Sequence, residues 1–302
     1  MNFNGNSIFR NNSAGFNCGG ICAVNEVLMN FNGNGIFRNN SAGLYGGGIY
    51  AESINPQTVS FNGNNNIFTS NYAAVGGGGI FLFRCDNVSF TGNISFTHNS
   101  AVIGAGMSVV YSKMNFTGNY IFTSNSANSK GGGIYMLYST LSLIGSSTFQ
   151  ENSAGIGGGI YTVVSTLSCT ENSSDNIGEY NGGGYSCTST FIKNSASIHG
   201  GAVYTEDSAL CFHGHNAFSS NSAQYSAGGI YSKNSTLTFN RSTSFNSNTG
   251  HLLGGGIYGL GTLLYFTGNI SHFFMMYYAK HAMGVTSTRS EHRIFFVQPL
   301  LV

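Results

Sequence analysis

Charged residues are scarce in this sequence: 11 Lys and Arg and 10 Asp and Glu make up 7% of the 302 residues, for a formal net charge of +1. Such a chain has no electrostatic footprint for nucleic acid or an anionic membrane surface, and neither is expected as a partner. Long apolar runs are missing too. The longest strongly apolar stretch, around Phe273 to Ala279, falls far short of the roughly 18 residues a membrane helix requires, so no transmembrane segment is expected. The six cysteines (Cys18, Cys22, Cys85, Cys169, Cys187 and Cys211) contain no C-x-x-C pair, which argues against a zinc site or a thioredoxin-type motif. They read as buried or half-buried thiols, with one or two disulfides in a secreted parent as the alternative. No secretory leader pattern precedes the first repeat at Phe3-Asn4-Gly5-Asn6; the expectation is a fragment of a longer, exported protein.

What the chain has instead is 44 Gly, 24 Phe and 17 Tyr at fixed spacing. The spacing defines a repeat of roughly 27 residues that runs from the start of the chain to about residue 270. Each copy reads F-x-G-N, then F-x-x-N-S-A, then G-G-G-I-Y. Phe37 to Ala42 is followed by Gly46 to Tyr50, and Phe149 to Ala154 by Gly157 to Tyr161. The F-x-x-N half recurs with Phe at 9, 37, 68, 96, 122, 149, 191, 218 and 245. No copy could bury a core alone, so one unit is stacked on itself.

Each copy holds three short β-type pieces broken by Asn and Gly, such as Thr58 to Phe61, Ile67 to Thr69 and Gly79 to Leu82, and none has helical periodicity. Three strands per copy make one coil of a parallel β-helix. About nine or ten coils at ~4.8 Å per coil give a single rod on the order of 45 Å long. The repeat domain spans 1–269, with an irregular coil near 169–190 read as a loop insertion carrying Glu171, Asp175 and Glu179; 270–302 is a non-repeat tail. Cys169 is expected to occupy the Phe slot of an F-x-x-N half, and therefore to be buried.

Alternation assigns the faces. The repeated Phe of F-x-x-N points inward as a ladder. In the third strand the slot of Ile49, Ile134, Ile160, Val203, Ile230 and Ile257 is aliphatic and inward. The next residue must then point outward, and it is aromatic in most copies: Tyr50, Phe81, Tyr135, Tyr161, Tyr204, Tyr231 and Tyr258. An external aromatic stripe of this kind is a candidate binding surface for sugar rings or a partner protein, with simple ring-on-ring shielding of the sheet as the competing explanation. The Asn of F-x-x-N, at Asn40, Asn71, Asn99, Asn125, Asn152, Asn194, Asn221 and Asn248, is expected at a turn in the left-handed conformation. Its amide would bond to the Asn above and below as a structural ladder. The glycine runs are expected at a corner where side chains would collide or φ must be positive.

The alternation of G-G-[A/G]-[I/V] with F-x-x-N resembles the polymorphic outer membrane protein repeats first associated with chlamydial surface adhesins. The motifs are G-G-G-I at Gly46 to Ile49, Gly77 to Ile80, Gly131 to Ile134 and Gly157 to Ile160, G-G-A-V at Gly200 to Val203, and the F-x-x-N set above. The resemblance covers about nine-tenths of the chain. It implies a right-handed parallel β-helix and a surface-exposed passenger region used in adhesion. The alternating-strand barrel that anchors bacterial members is not visible here.

Chemistry is poorly supplied. Glu206-Asp207 is the only adjacent acid pair, and as consecutive strand residues the two would face opposite ways. His213-Gly214-His215 puts two imidazoles on one side of a strand, with no third ligand identifiable. No nucleophile elbow stands out. The expectation is a non-enzymatic surface or secreted rod without cofactor or metal, its partners glycans or cell-surface proteins, extracellular or at the cell surface in the full-length parent. The alternative is a carbohydrate-binding or carbohydrate-cleaving, pectate-lyase-like β-helix, which would gather its acids and bases on one face.

Overall fold

Strand pieces of two to five residues have no hydrogen-bond partners within themselves, so each must pair with its equivalent one coil away. A computed structural model describes residues 1–25, 28–53, 58–170, 188–266 and 270–271 and contains this arrangement throughout. Among the described residues every element is a strand. Strand pairs are parallel and in register, as in Ile134–Leu137 on Ile160–Val163 and Lys113–Thr123 on Thr140–Gln150. The sheet of Ile-Tyr strands has nine members, from Ile21–Val24 to Ile257–Leu260, which makes nine coils of a parallel β-solenoid.

The repeated Phe residues mark the register. Phe9 lies opposite Phe37, Phe37 opposite Phe68, and so on to Phe218 opposite Phe245. Register survives the irregular coil. Asn152 and Asn194 remain neighbours although 42 positions separate them, against 26 to 31 elsewhere. The surplus lies between the strands Thr166–Thr170 and Thr188–Ile192, both of which pair with the single strand Thr140–Gln150. Glu171, Asp175 and Glu179, the Cys187 position and the tail from 272 onward lie outside the described residues. Cys169 requires a correction. Its backbone is in register with Leu143 and Phe212, so it occupies the F-x-G-N column and not the F-x-x-N column. The insertion that follows it had displaced the apparent phase.

Each coil holds four strand positions where three were expected. The F-x-G-N and F-x-x-N strands share one sheet and fuse into continuous 11-residue strands at Asn87–Thr97, Lys113–Thr123 and Thr140–Gln150. The additional one is the Ser-Ala pair, whose strands are mostly two residues long and stack into their own nine-membered sheet. Its Ala column forms a small apolar cluster of its own. A two-residue strand has no alternation to display, which is why periodicity could not reveal it.

The glycine run owes its composition to two separate requirements. The first glycine turns the corner in the left-handed region, as at Gly131, φ 63°. At the second and third, a Cβ would meet the backbone of the next coil: at Gly132 it would lie 2.4 Å from the Gly158 oxygen, and at Gly133 2.6 Å from the Gly159 oxygen. Glycine fills these positions in most coils, and only alanine replaces it, at Ala105 in the second position and Ala202 in the third.

The interior is filled by two Phe ladders. In the F-x-x-N column, rings from Phe9 to Phe245 stack at 4.6–4.9 Å with near-parallel planes. The F-x-G-N column supplies a second stack, through Phe31, Phe61 and Phe90 and again from Phe212 to Phe266. The ladders meet edge to face, for example Phe61 with Phe68 at 5.9 Å and 72°. Offset stacks and edge contacts are the two favoured aromatic geometries, each contributing about 0.5–1.5 kcal/mol beyond burial. Two cysteines, Cys18 and Cys22, form a disulfide in the first described coil, so the thiol expectation holds for Cys85 and Cys211 but not for this pair.

Phe122 is fully buried while its neighbour Ile121 is 43% exposed. Phe122→Ala is therefore expected to lower unfolding free energy by about 3–5 kcal/mol, and Ile121→Ser by less than half of that, in urea titrations of the purified chain. Equal losses would contradict the face assignment.

Candidate functional site

The aromatic stripe lies on the outer side of the Ile-Tyr sheet, in a cluster separate from the main core. Tyr50 is in register with Phe81, and Tyr135, Tyr161, Tyr204, Tyr231 and Tyr258 follow one another. Ser108 interrupts the column between Phe81 and Tyr135. Ring centroids within the two runs are 4.9–5.6 Å apart. The expectation of an open platform is corrected by burial. Tyr50, Phe81, Tyr135, Tyr161 and Tyr204 retain only 5–9% of their surface, and Tyr231 and Tyr258 are half-buried.

The cover comes from the residue just before each glycine run. Tyr45 packs 4.5 Å from Phe81, the Lys130 ammonium sits 4.9 Å from the Tyr161 ring centroid, and His199 stacks 4.6 Å from Tyr231. Phe83, Leu137 and Val163 close the other flank. The rings thus form a second, shallow core whose faces are spent on each other. Sequence carried a signal for it, a large side chain ahead of several glycine runs.

Electrostatics on this face is local. The Tyr50 and Tyr204 hydroxyls donate to Glu52 (2.6 Å) and Glu206 (2.8 Å). Burial, followed by these carboxylates, pushes both phenols well up, and burial takes Tyr161 to about 12. Burial also holds His199 below the ordinary imidazole value. Glu206 accepts from Lys233 at 2.5 Å, and that bond lowers its pKa and raises that of the lysine. Asp207 is not a strand residue. The strand ends at Glu206, and Asp207 occupies a left-handed corner at φ 48°.

The ladder asparagines Asn40, Asn71, Asn99, Asn125, Asn152, Asn194 and Asn221 are buried, and Asn12 and Asn248 continue the column at its ends. The Asn125 amide nitrogen donates to the Asn152 Oδ1 (2.9 Å) and to the Phe96 carbonyl (2.8 Å). Its Oδ1 accepts from both the backbone and side-chain nitrogens of Asn99 at 3.0 Å. All four bonding positions of the amide are used. The left-handed residue, however, is the one before: Asn39, Ser70, His98, Ser124, Glu151, Lys193, Ser220 and Ser247 all have φ near 55°.

A second ladder escaped sequence reading. Ser112, Ser139, Ser165, Ser208 and Ser235 are buried at the corner after the stripe strand. Each of Ser139, Ser165, Ser208 and Ser235 accepts the backbone N–H of the serine one coil earlier and donates to the carbonyl two residues back. Cys85 begins the column, donating its N–H to Ser112, and burial pushes its thiol up to about 12. The signal was there as S-T or S-A five residues after the inward Ile or Val.

The His pair is tied to the neighbouring coil. His213 Nδ1 is 2.5 Å from the Asn240 side-chain nitrogen and His215 Nδ1 bonds to the Ser242 hydroxyl, while Cys211 Sγ lies 3.1 Å from His213 Nε2. No group of three or more potential ligands is assembled among the described residues.

Four segments, 34–52, 119–136, 146–163 and 188–206, match the family model of the Chlamydia polymorphic membrane protein repeat. These four segments are similar to polymorphic membrane protein repeats. Each matched segment runs from the F-x-x-N strand through the ladder Asn, the Ser-Ala pair and the glycine run to the stripe strand. These are the parts whose backbones must coincide from coil to coil. Neither the curated proteins nor the solved structures compared with the chain contain a match.

The corner after the stripe strand also varies in chemistry from coil to coil. It is left-handed in nearly every coil and reads Asn25, Arg84, Tyr111, Tyr138, Val164, Asp207, Asn234 and Gly261. Asn, Asp and Gly are ordinary there; a bulky or β-branched residue is an outlier, and the conformation costs roughly 1–2 kcal/mol. Tyr111 and Tyr138 nonetheless stand there half in solvent, their rings stacked at 5.0 Å.

Because its ring is buried on both faces, Tyr161→Ser is expected to cost about 2–4 kcal/mol of stability in urea titrations. A negligible loss would mean that the stripe is not packed. The Glu206–Lys233 pair makes a pH prediction. The depressed carboxyl value contributes stability that is present above the unfolded pKa of about 4.3 and is lost as pH falls through the folded value. The raised lysine value contributes below its unfolded pKa of about 10.4 and fades as pH rises through the folded one. Glu206→Gln should thus be less stable than the parent at neutral pH, with the gap closing as pH falls from the unfolded value of about 4.3 through the folded one; a gap independent of pH would exclude the ion pair as the cause.

Proposed function

We propose that this chain is the rod of an outer-membrane, surface or secreted protein and that it works by adhesion, without catalysis. The observation that carries this reading is the stacking of matched repeats into one continuous solenoid whose interior is closed by side chains. The variable chemistry lies at outward positions, among them the corners and the last residue of each stripe strand. Ionisable groups on the stripe face also support it, because they serve packing: Glu206 is held ionised by Lys233 and Tyr204, which suits a structural tie and not a general acid. Among the described residues no helix is long and apolar enough to cross a membrane.

Beads coated with the purified chain are expected to adhere to a panel of cultured cells above albumin-coated beads, with soluble chain competing. Adhesion no better than albumin on every cell type would sink the proposal. Release of reducing or unsaturated ends from polysaccharides incubated with the chain would replace it with the carbohydrate-cleaving alternative.

A further inference from the structure

Cys211 points away from the core, between the inward Leu210 and Phe212, and is half-buried. The same outward slot holds Ser168 in the coil before and Thr238 in the coil after, so its neighbours along the column are both small. His213, two residues on, lies on the same side of the sheet, and its Nε2 is 3.1 Å from Cys211 Sγ. The other ring nitrogen, Nδ1, is 2.5 Å from the side-chain amide of Asn240 in the next coil. None of the three belongs to the Phe, Asn or Ser ladders that hold the coils in register.

A thiol, an imidazole and an amide in that order are the parts of an activated nucleophile: the ring takes the thiol proton and the amide fixes the ring. Half a turn of the Asn240 amide exchanges its oxygen and nitrogen without moving the group. With the oxygen toward His213, Nδ1 carries the ring proton and Nε2 turns its lone pair to the sulfur. Burial pushes the Cys211 thiol up, so at neutral pH the sulfur keeps its proton until a base removes it. Acyl transfer would need more than this. The strand Ala209–Phe212 is paired on both edges, with Thr166–Thr170 and Thr236–Phe239, so its N–H groups are committed to the sheet and supply no oxyanion hole. Exchange with a disulfide places the developing charge on sulfur and needs no such donors.

We propose that Cys211 captures small disulfides by exchange, with His213 as its base and Asn240 as the residue that positions the ring. Cys211 Sγ attacks one sulfur of a disulfide R–S–S–R as its proton passes to His213 Nε2. The new Sγ–S bond forms, the old S–S bond breaks, and the departing thiolate takes the proton from His213 and leaves as R–SH. Cys211 is oxidised to the mixed disulfide and the released half is reduced, so the disulfide is the only oxidant required. The chain is a reactant in this step and not a catalyst, and the inference does not rest on the adhesive reading. Cys85 supplies the contrast, since it is fully buried with its sulfur 3.5 Å from the Ala51 and Phe83 carbonyls.

The test incubates the purified 302-residue chain with glutathione disulfide at neutral pH and follows each cysteine by peptide mass mapping. Cys211 should gain the tripeptide about tenfold faster than N-acetylcysteine does under the same conditions, while Cys85 stays unmodified in the folded chain. His213→Ala should slow Cys211 about tenfold or more. That gap should close as pH rises far enough for the thiol to ionise unaided, which a merely structural role for the ring would not produce. The strands on either side, Thr166–Thr170 and Thr236–Phe239, carry no charged residue, and Arg241 follows Asn240. Asn240→Ala should slow the reaction several-fold, and Asn240→Asp, which keeps an oxygen toward Nδ1, should restore it. The proposal is overturned if Cys211 of the parent reacts no faster than N-acetylcysteine, a result that needs no variant to fold, or if His213→Ala reacts at the parental rate.

Discussion

A buried asparagine amide has two donors and two acceptor sites, and leaving any of them empty in an apolar interior costs on the order of 1–3 kcal/mol. In this chain one such amide stands in every coil, and each is satisfied only if the coil above and the coil below present their own asparagine at the same height. A slip of one residue anywhere would orphan several of these groups at once. Register between coils is therefore enforced by polar satisfaction, and apolar side chains, which are indifferent to direction, fill the space that the register leaves.

Everything else follows from coils that coincide. Identical residues lie on identical residues, so phenylalanines become ladders and serines at the opposite corner become a second polar column. Glycine, with alanine at 105 and 202, is placed where neighbouring backbones approach within contact of a Cβ. The same rule shows how an insertion is tolerated. Residues added between Thr170 and Thr188 leave the flanking strands on their partners because both pair independently with the strand at Thr140–Gln150. Chemistry that must vary is left to the outward corners, where side chains do not take part in the ladders.

Much of this was legible from the spacing of particular residues. Phe at a fixed phase, preceded by a variable neighbour, placed Phe122 inside and Ile121 outside. The parallel solenoid followed from the period. Three things were not legible. Cys169 was misplaced by one strand because the insertion after it destroys local phase. The Ser-Ala strand is too short for alternation to show. The stripe tyrosines do point away from the main core, but nothing in a strand pattern says whether a neighbouring loop will fold over them, and Tyr45, Lys130 and His199 do so.

The amino-acid sequence by itself determined the repeat, the strand faces and the inward Phe ladder, because a period-two backbone stacked at fixed intervals converts spacing directly into direction. Only the tertiary structure decided which outward residues stay in solvent. Exposure depends on side chains brought in from another part of the coil, and on the height of the residue one coil away. Tyr161 and Tyr138 are both outward-facing tyrosines in adjoining coils; one is sealed beneath Lys130 while the other stands half in water beside a valine. Their slots differ, Tyr161 within the stripe strand and Tyr138 at the left-handed corner after it, but the cover over Tyr161 comes from a residue distant in sequence.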